Sequence, residues 1–264
     1  MTNSPDPRST PATGVAPWRP LAAGDSEEFS RARNEALNIV QWLARIAHSY
    51  VTGGAPERRA DLDFDAAGAS FTTQSFADGA SLQMRLPHLQ LQFLAHGEPV
   101  PHIFDPDGRS PAEVEAWILV ELLHRGIDRE KFSKELPYAI AGLMSGDAVD
   151  HETQACREGL TQLAAWFGNA AAVLKAVAHV AGTTKARILC LPQTFALTLA
   201  PDSSGAPVDL GFSPGDRENP EPYFYARGIA GDGSQPAKRI AAAALLTQDD
   251  PARAAAMLSK VMGG

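Results

Sequence analysis

The chain has 264 residues, 44% hydrophobic and 20% charged, with a net charge of −8. That length and apolar content suit one large domain or two small ones built on a sizeable core. No run of Lys and Arg exceeds two adjacent residues (Arg58–Arg59, Lys238–Arg239), which argues against a nucleic-acid partner and against binding to an anionic membrane surface.

Two cysteines, Cys156 and Cys190, are too few for a disulfide framework or a Cys-rich zinc site. Buried free thiols in a reducing compartment are the expectation. No run of 18 apolar residues occurs, and residues 1–26 lack the apolar core of a signal peptide, so a soluble cytoplasmic protein is expected.

Residues 1–24 hold five prolines and little that packs, which reads as a disordered or surface-draped arm, with Trp18 among prolines as its pin. A helix opens at Asp25 or Ser26. Phe29, Ala32, Ala36, Ile39, Val40, Leu43, Ile46 and Ala47 form its core face, and Gly53–Gly54 stops it. From Asp61 to His102 the period changes to two, as in half-buried strands, and Asp78–Gly79 marks a hairpin turn. With no helix between them, these strands pair antiparallel.

Ser110-Pro-Ala-Glu113 is a helix start: a capping serine, proline at the first helical position and a glutamate to close the box. That helix ends at Gly126, and a short one is expected over 128–136. A long helix follows over 151–180. Two short strands flank Pro192, which suggests an edge or a bulge there. A turn spans 201–207, and a strand follows to Phe212. Ser213-Pro-Gly-Asp216 fits a β-turn with glycine at positive φ. Tyr223-Phe-Tyr225 places both tyrosines on one strand face. Residues 236–246 read as an Ala-rich helix, and a last helix starts at Pro251.

The elements add up to a single α+β domain over 25–264, a largely antiparallel sheet packed by helices. The order helix, strands, helix occurs twice, at 27–126 and 151–262. Two similar halves are therefore an alternative, although no residue-level repeat supports a duplication.

The stretch Gly211-Phe-Ser-Pro-Gly-Asp216, followed by Pro220-Glu-Pro-Tyr-Phe-Tyr225, resembles the bacterial domain-of-unknown-function family 5996. Related members carry a Trp-Pro-His-His-Phe-Asp strand upstream. The aligned residues here are Leu191-Pro-Gln-Thr-Phe-Ala196, without either histidine or the aspartate. If that set is a metal or acid/base site in relatives, this chain has lost it, because Gln193 cannot titrate and is a poor transition-metal ligand. The resemblance carries no activity with it.

The candidate ligand-binding residues are Gln193, Asp216, Glu218, Glu221, Tyr223 and Tyr225. Carboxylates at 216, 218 and 221 are of the type that holds a hard cation, and the same residues suit a solvated acidic loop. His96 and His102 form a two-histidine half-site if their strands pair. No nucleophile elbow, phosphate loop or zinc-protease motif occurs. Two functions are weighed. The first is a non-catalytic accessory protein that binds a small molecule or a protein partner. The second is a cation-dependent hydrolase acting at the 216–225 loop. A homodimer through the apolar 236–262 segment is a third reading, and no cofactor is implied.

Overall fold

The computed structural model describes residues 19, 21, 26–53, 58–183, 185–200, 209–227, 238–246 and 250–262. The expectations for Trp18 and the 201–207 turn fall outside them. At Arg19 the main chain is tied down on both sides: Asn169 accepts from its N–H at 3.1 Å and donates to its carbonyl at 2.9 Å.

Helix α1 spans Glu27–Tyr50 and starts where Ser26 Oγ accepts from the Phe29 N–H, with Glu27 and Glu28 in the positive first turn. Its predicted apolar face is buried throughout. Strands β1 (Leu62–Asp65), β2 (Ser70–Thr72), β3 (Ala80–Arg85), β4 (Gln90–Ala95) and β5 (Glu98–Pro99) follow as an antiparallel meander. Helix α2 (Pro111–His124) carries the full capping box between Ser110 and Glu113. Helix α3 (Arg157–Val180) lies against α1 and against the second meander, whose strands are β6 (Arg187–Leu191), β7 (Ala196–Ala200), β8 (Asp209–Ser213), β9 (Tyr223–Arg227) and β10 (Lys238–Ala241). Helices α4 (Ala242–Leu246) and α5 (Pro251–Met262) close the chain.

The ten strands among the described residues form one antiparallel sheet in the order β10-β9-β8-β7-β6-β1-β2-β3-β4-β5. Each half is thus a helix followed by five strands in sequence order and then helix again, and the halves join through their first strands, Leu62 opposite Cys190 and Asp63 opposite Leu189. The first hairpin of each half also turns alike. Four residues bridge β1 to β2 and β6 to β7, each turn ending on a left-handed residue, Ala69 (φ 46°) and Phe195 (φ 52°).

One core runs through both halves. Phe71, Phe167, Phe195, Phe212 and Phe224 make a chain of ring contacts with centroids 5.0–5.6 Å apart. Helix α3 is apolar and long enough to cross a bilayer, but its buried residues, among them Leu163, Trp166, Phe167 and Leu174, belong to this core.

Four sequence expectations need correction. Residues 238–241 are strand β10, because β9 offers a free edge whose pairing outweighs the helical preference of alanine; among the described residues of that stretch, 242–246 are helical. Helix α3 begins at Arg157, since His151 is held by main-chain bonds to Gly108 and Arg109. The 128–136 segment forms a single 3-10 turn at Arg129–Lys131, after which Ser133 N–H bonds to Ser49 Oγ. Pro192 lies at neither an edge nor a bulge. It sits in the central β6–β7 turn, where no ladder N–H is required.

Candidate functional site

A cavity of about 870 Å³ opens between α1, the irregular 138–143 segment, the β6–β7 turn and the β8–β9 connection. Its walls follow from local chemistry. Gln41 is fully buried on α1: its amide donates to the Pro192 carbonyl at 2.9 Å, and its Oε1 accepts from the Tyr138 hydroxyl at 2.8 Å. One glutamine thereby ties the turn and the irregular segment to the helix. Asn38 adds a second tie by accepting from the Met144 N–H at 2.8 Å.

The β8–β9 connection is organised by Asp216. Its Oδ1 accepts from the Glu218 and Asn219 N–H groups at 2.9 and 2.7 Å, and its Oδ2 accepts from the Tyr223 hydroxyl at 2.8 Å. Burial works to raise its pKa. The hydrogen bonds from Asn219, Tyr223 and Glu218 outweigh that and hold the carboxyl below its ordinary range. Gly215, at φ +97°, takes the left-handed conformation the turn requires. Against it lies the guanidinium of Arg33, which donates to the carbonyls of Pro214 (3.3 Å) and Pro220 (3.0 Å). Burial lowers the Arg33 pKa, and the nearby charge of Asp216 opposes that.

On β9 the tyrosines and Phe224 part as expected. Phe224 is buried against Phe212, while Tyr223 and Tyr225 line the cavity. Tyr225 faces Gly211 across the strand pair and reaches the Leu197 carbonyl on the next strand at 3.3 Å. A side chain at 211 would occupy the space of that ring. Arg239 of β10 stacks over the Tyr223 ring at 5.1 Å.

The structure brings Gln193, Asp216, Glu218, Tyr223 and Tyr225 to one cavity and leaves Glu221 out of its lining. Glu221 is exposed between Pro220 and the buried Pro222, and the three carboxylates do not converge as a cation cage. His96 and His102 do not converge either. His96 packs over Gly79 at the β4–β5 turn, and His102 approaches Glu121.

Sequence reasoning missed Asp61, just before β1. It is 7% exposed, lines the cavity, and has Arg58 as its ion-pair partner among the described residues, at 3.8 Å. Burial pushes its pKa up to about 6, with Arg58 a weaker opposing influence. The same burial raises the pKa of its neighbours Tyr138 and Cys190, and the charge of Asp61 adds to both. An Asp at the head of a strand carries no pattern that separates it from a turn residue, so only the fold reveals it. No family model, curated protein or solved structure matches the chain.

Proposed function

We propose that this protein binds a small polar organic molecule in the 870 Å³ cavity, as a non-catalytic accessory module. The observation that carries this reading is convergence: five residues singled out from one stretch of sequence line a single concave site together with a buried, protonatable acid. The volume lies within the ~300–1,000 Å³ usual for small-molecule sites. Leu37, Ile140, Leu143 and Pro192 supply apolar wall, while Asn34, Asp61, Gln193 and Tyr225 supply polar groups that fix a ligand's orientation.

The resemblance to the domain-of-unknown-function family 5996 bears on the absence of chemistry. The positions that align with the family's histidines, Gln193 and Thr194, line this same cavity and cannot titrate. The hydrolase reading has less support, because the Asp216 oxygens are engaged by donors of its own loop and Glu221 stands apart.

A thermal-shift screen of small polar compounds tests the proposal, since a ligand that binds only the folded state raises Tm. The expected result is a Tm increase in wild type that is lost in Gln193→Ala and Asp61→Asn. Compounds that stabilise all three proteins equally would place binding elsewhere. Turnover of any hit by wild type, lost in Asp61→Asn, would replace the accessory reading with an enzymatic one.

A further inference from the structure

At the far end of the sheet from the cavity, His102, Glu121 and His124 present ligand atoms that all lie within 4.8 Å of one another. The geometry points to a zinc site formed by His102 Nδ1, His124 Nδ1 and Glu121 Oε1, with its fourth position open to water. Glu121 and His124 stand three residues apart on one face of α2, and His102 comes from the connection between β5 and α2. Two elements distant in sequence thus supply the ligand set.

The distances carry the assignment. His102 Nδ1 is 3.2 Å and His124 Nδ1 is 3.5 Å from the same oxygen, Glu121 Oε1. A tetrahedral zinc with ligands at about 2.0–2.1 Å has ligand-to-ligand edges of about 3.3–3.4 Å. Each imidazole nitrogen therefore stands about one tetrahedral edge from the carboxylate oxygen, with the ligand atoms all within 4.8 Å of one another. The chemical types agree as well, since two imidazoles and one carboxylate form a borderline donor set that prefers zinc over magnesium or calcium.

The carboxylate is held from behind. The Glu121 side chain is only 4% exposed, and its other oxygen, Oε2, accepts from Arg125 at 2.6 Å. Arg125 is itself fixed over the Phe93 ring at 4.3 Å. That pairing leaves Oε1 as the single oxygen facing the histidines and makes the carboxylate a one-oxygen ligand of set orientation. The guanidinium also withdraws part of the charge, which weakens the site relative to one with a free carboxylate. The two histidine side chains are 64% and 56% exposed, so an ion has an open path to the site. Binding takes the neutral imidazoles and fails once they are protonated.

The test is calorimetric titration of zinc chloride into the tag-free, metal-stripped full chain at pH 7.5. One zinc per chain is expected in wild type. In His102→Ala and in His124→Ala affinity is expected to fall at least ~100-fold, beyond the loss typical of a supporting partner. Both histidines are surface groups, and circular dichroism of each variant confirms that it folds. Cobalt substitution adds a direct reading, with strong visible absorption of a four-coordinate ion in wild type and none in His102→Ala. Absence of zinc binding by wild type overturns the proposal, as does binding by either histidine variant with wild-type affinity. Loss of zinc binding in Asp216→Asn with retention in His102→Ala would move the metal to the acidic loop.

Discussion

Tyr223 donates its phenol proton to Asp216 Oδ2 at 2.8 Å across the loop that joins β8 to β9. The bond closes a ring of donors around one carboxylate: two main-chain N–H groups, one amide side chain and one phenol. Asp216→Asn replaces a charged acceptor by a neutral one and puts an amide donor against those donors. A stability loss of about 1.5–3 kcal/mol is expected, the range for hydrogen bonds to charged groups. The folded carboxyl has a lowered pKa, so its contribution is complete above the ordinary carboxylate range and is lost as pH falls through the folded value. Urea titrations at pH 7 and pH 3 read this directly. The gap between wild type and Asp216→Asn is expected to be wide at pH 7 and to narrow at pH 3.

Asp61 behaves in the opposite sense. Its folded pKa is raised from the ordinary 3.8 to about 6, so the folded state binds the proton more tightly than the unfolded chain does. Stability therefore falls as pH rises between those two values, and above about 6 the fold carries a buried charge at a cost. Asp61→Asn removes that cost. It is expected to stabilise the protein by about 1–3 kcal/mol at pH 8, at ~1.4 kcal/mol per pKa unit, and by little at pH 4. Equal effects at both pH values would show that the acid is not perturbed by burial.

The contrast between these two aspartates shows what a sequence discloses. Asp216 is legible because Ser-Pro-Gly-Asp is turn chemistry, and turn chemistry is local. The core faces of α1 and α3, the antiparallel meander and the capping box at Ser110 are legible for the same reason: periods and caps are set within a few residues. Asp61 becomes notable only when β1 pairs with β6 and draws Cys190 and Tyr138 around it. Strand β10 was hidden behind an alanine-rich composition, since what makes it a strand is the free edge of β9. Glu121 shares that opacity, because it reads as one more helix-surface acid until His102 folds back onto α2.

Gly211 offers a test of how Tyr225 is placed. The two residues face each other in the β8–β9 register, and the ring lies across the space a Cβ at 211 would fill. Gly211→Ala must therefore displace the ring or shift the strand, and overpacking of this kind costs about 1–3 kcal/mol. Tyr225→Phe keeps the ring and removes only its hydroxyl, whose 3.3 Å bond to the Leu197 carbonyl is long. The expected order of stability in thermal melts is wild type, then Tyr225→Phe close behind, then Gly211→Ala well below. A Gly211→Ala protein as stable as wild type would mean that the ring does not rest where the structure has it.

The side chain of Gln41 reaches the Pro192 carbonyl and the Tyr138 hydroxyl at once. Gln41 is completely buried and so is the Pro192 carbonyl it holds, while the half-buried Tyr138 faces the cavity. Gln41→Leu preserves most of the volume and leaves an unpaired carbonyl and an unpaired phenol in the wall of the cavity. A loss of about 2–4 kcal/mol is expected, since a buried carbonyl and a part-buried phenol are orphaned at about 1–3 kcal/mol each and the leucine recovers some apolar burial. Tyr138→Phe orphans only the glutamine oxygen, so its cost should be less than half as great. Hydrogen exchange distinguishes the two further. In Gln41→Leu, amide protection is expected to fall both at 138–144 and at 193–195, while in Tyr138→Phe it falls at 138–144 alone. Loss of protection at the turn in both variants would show that the irregular segment holds the turn directly, without the glutamine as the link.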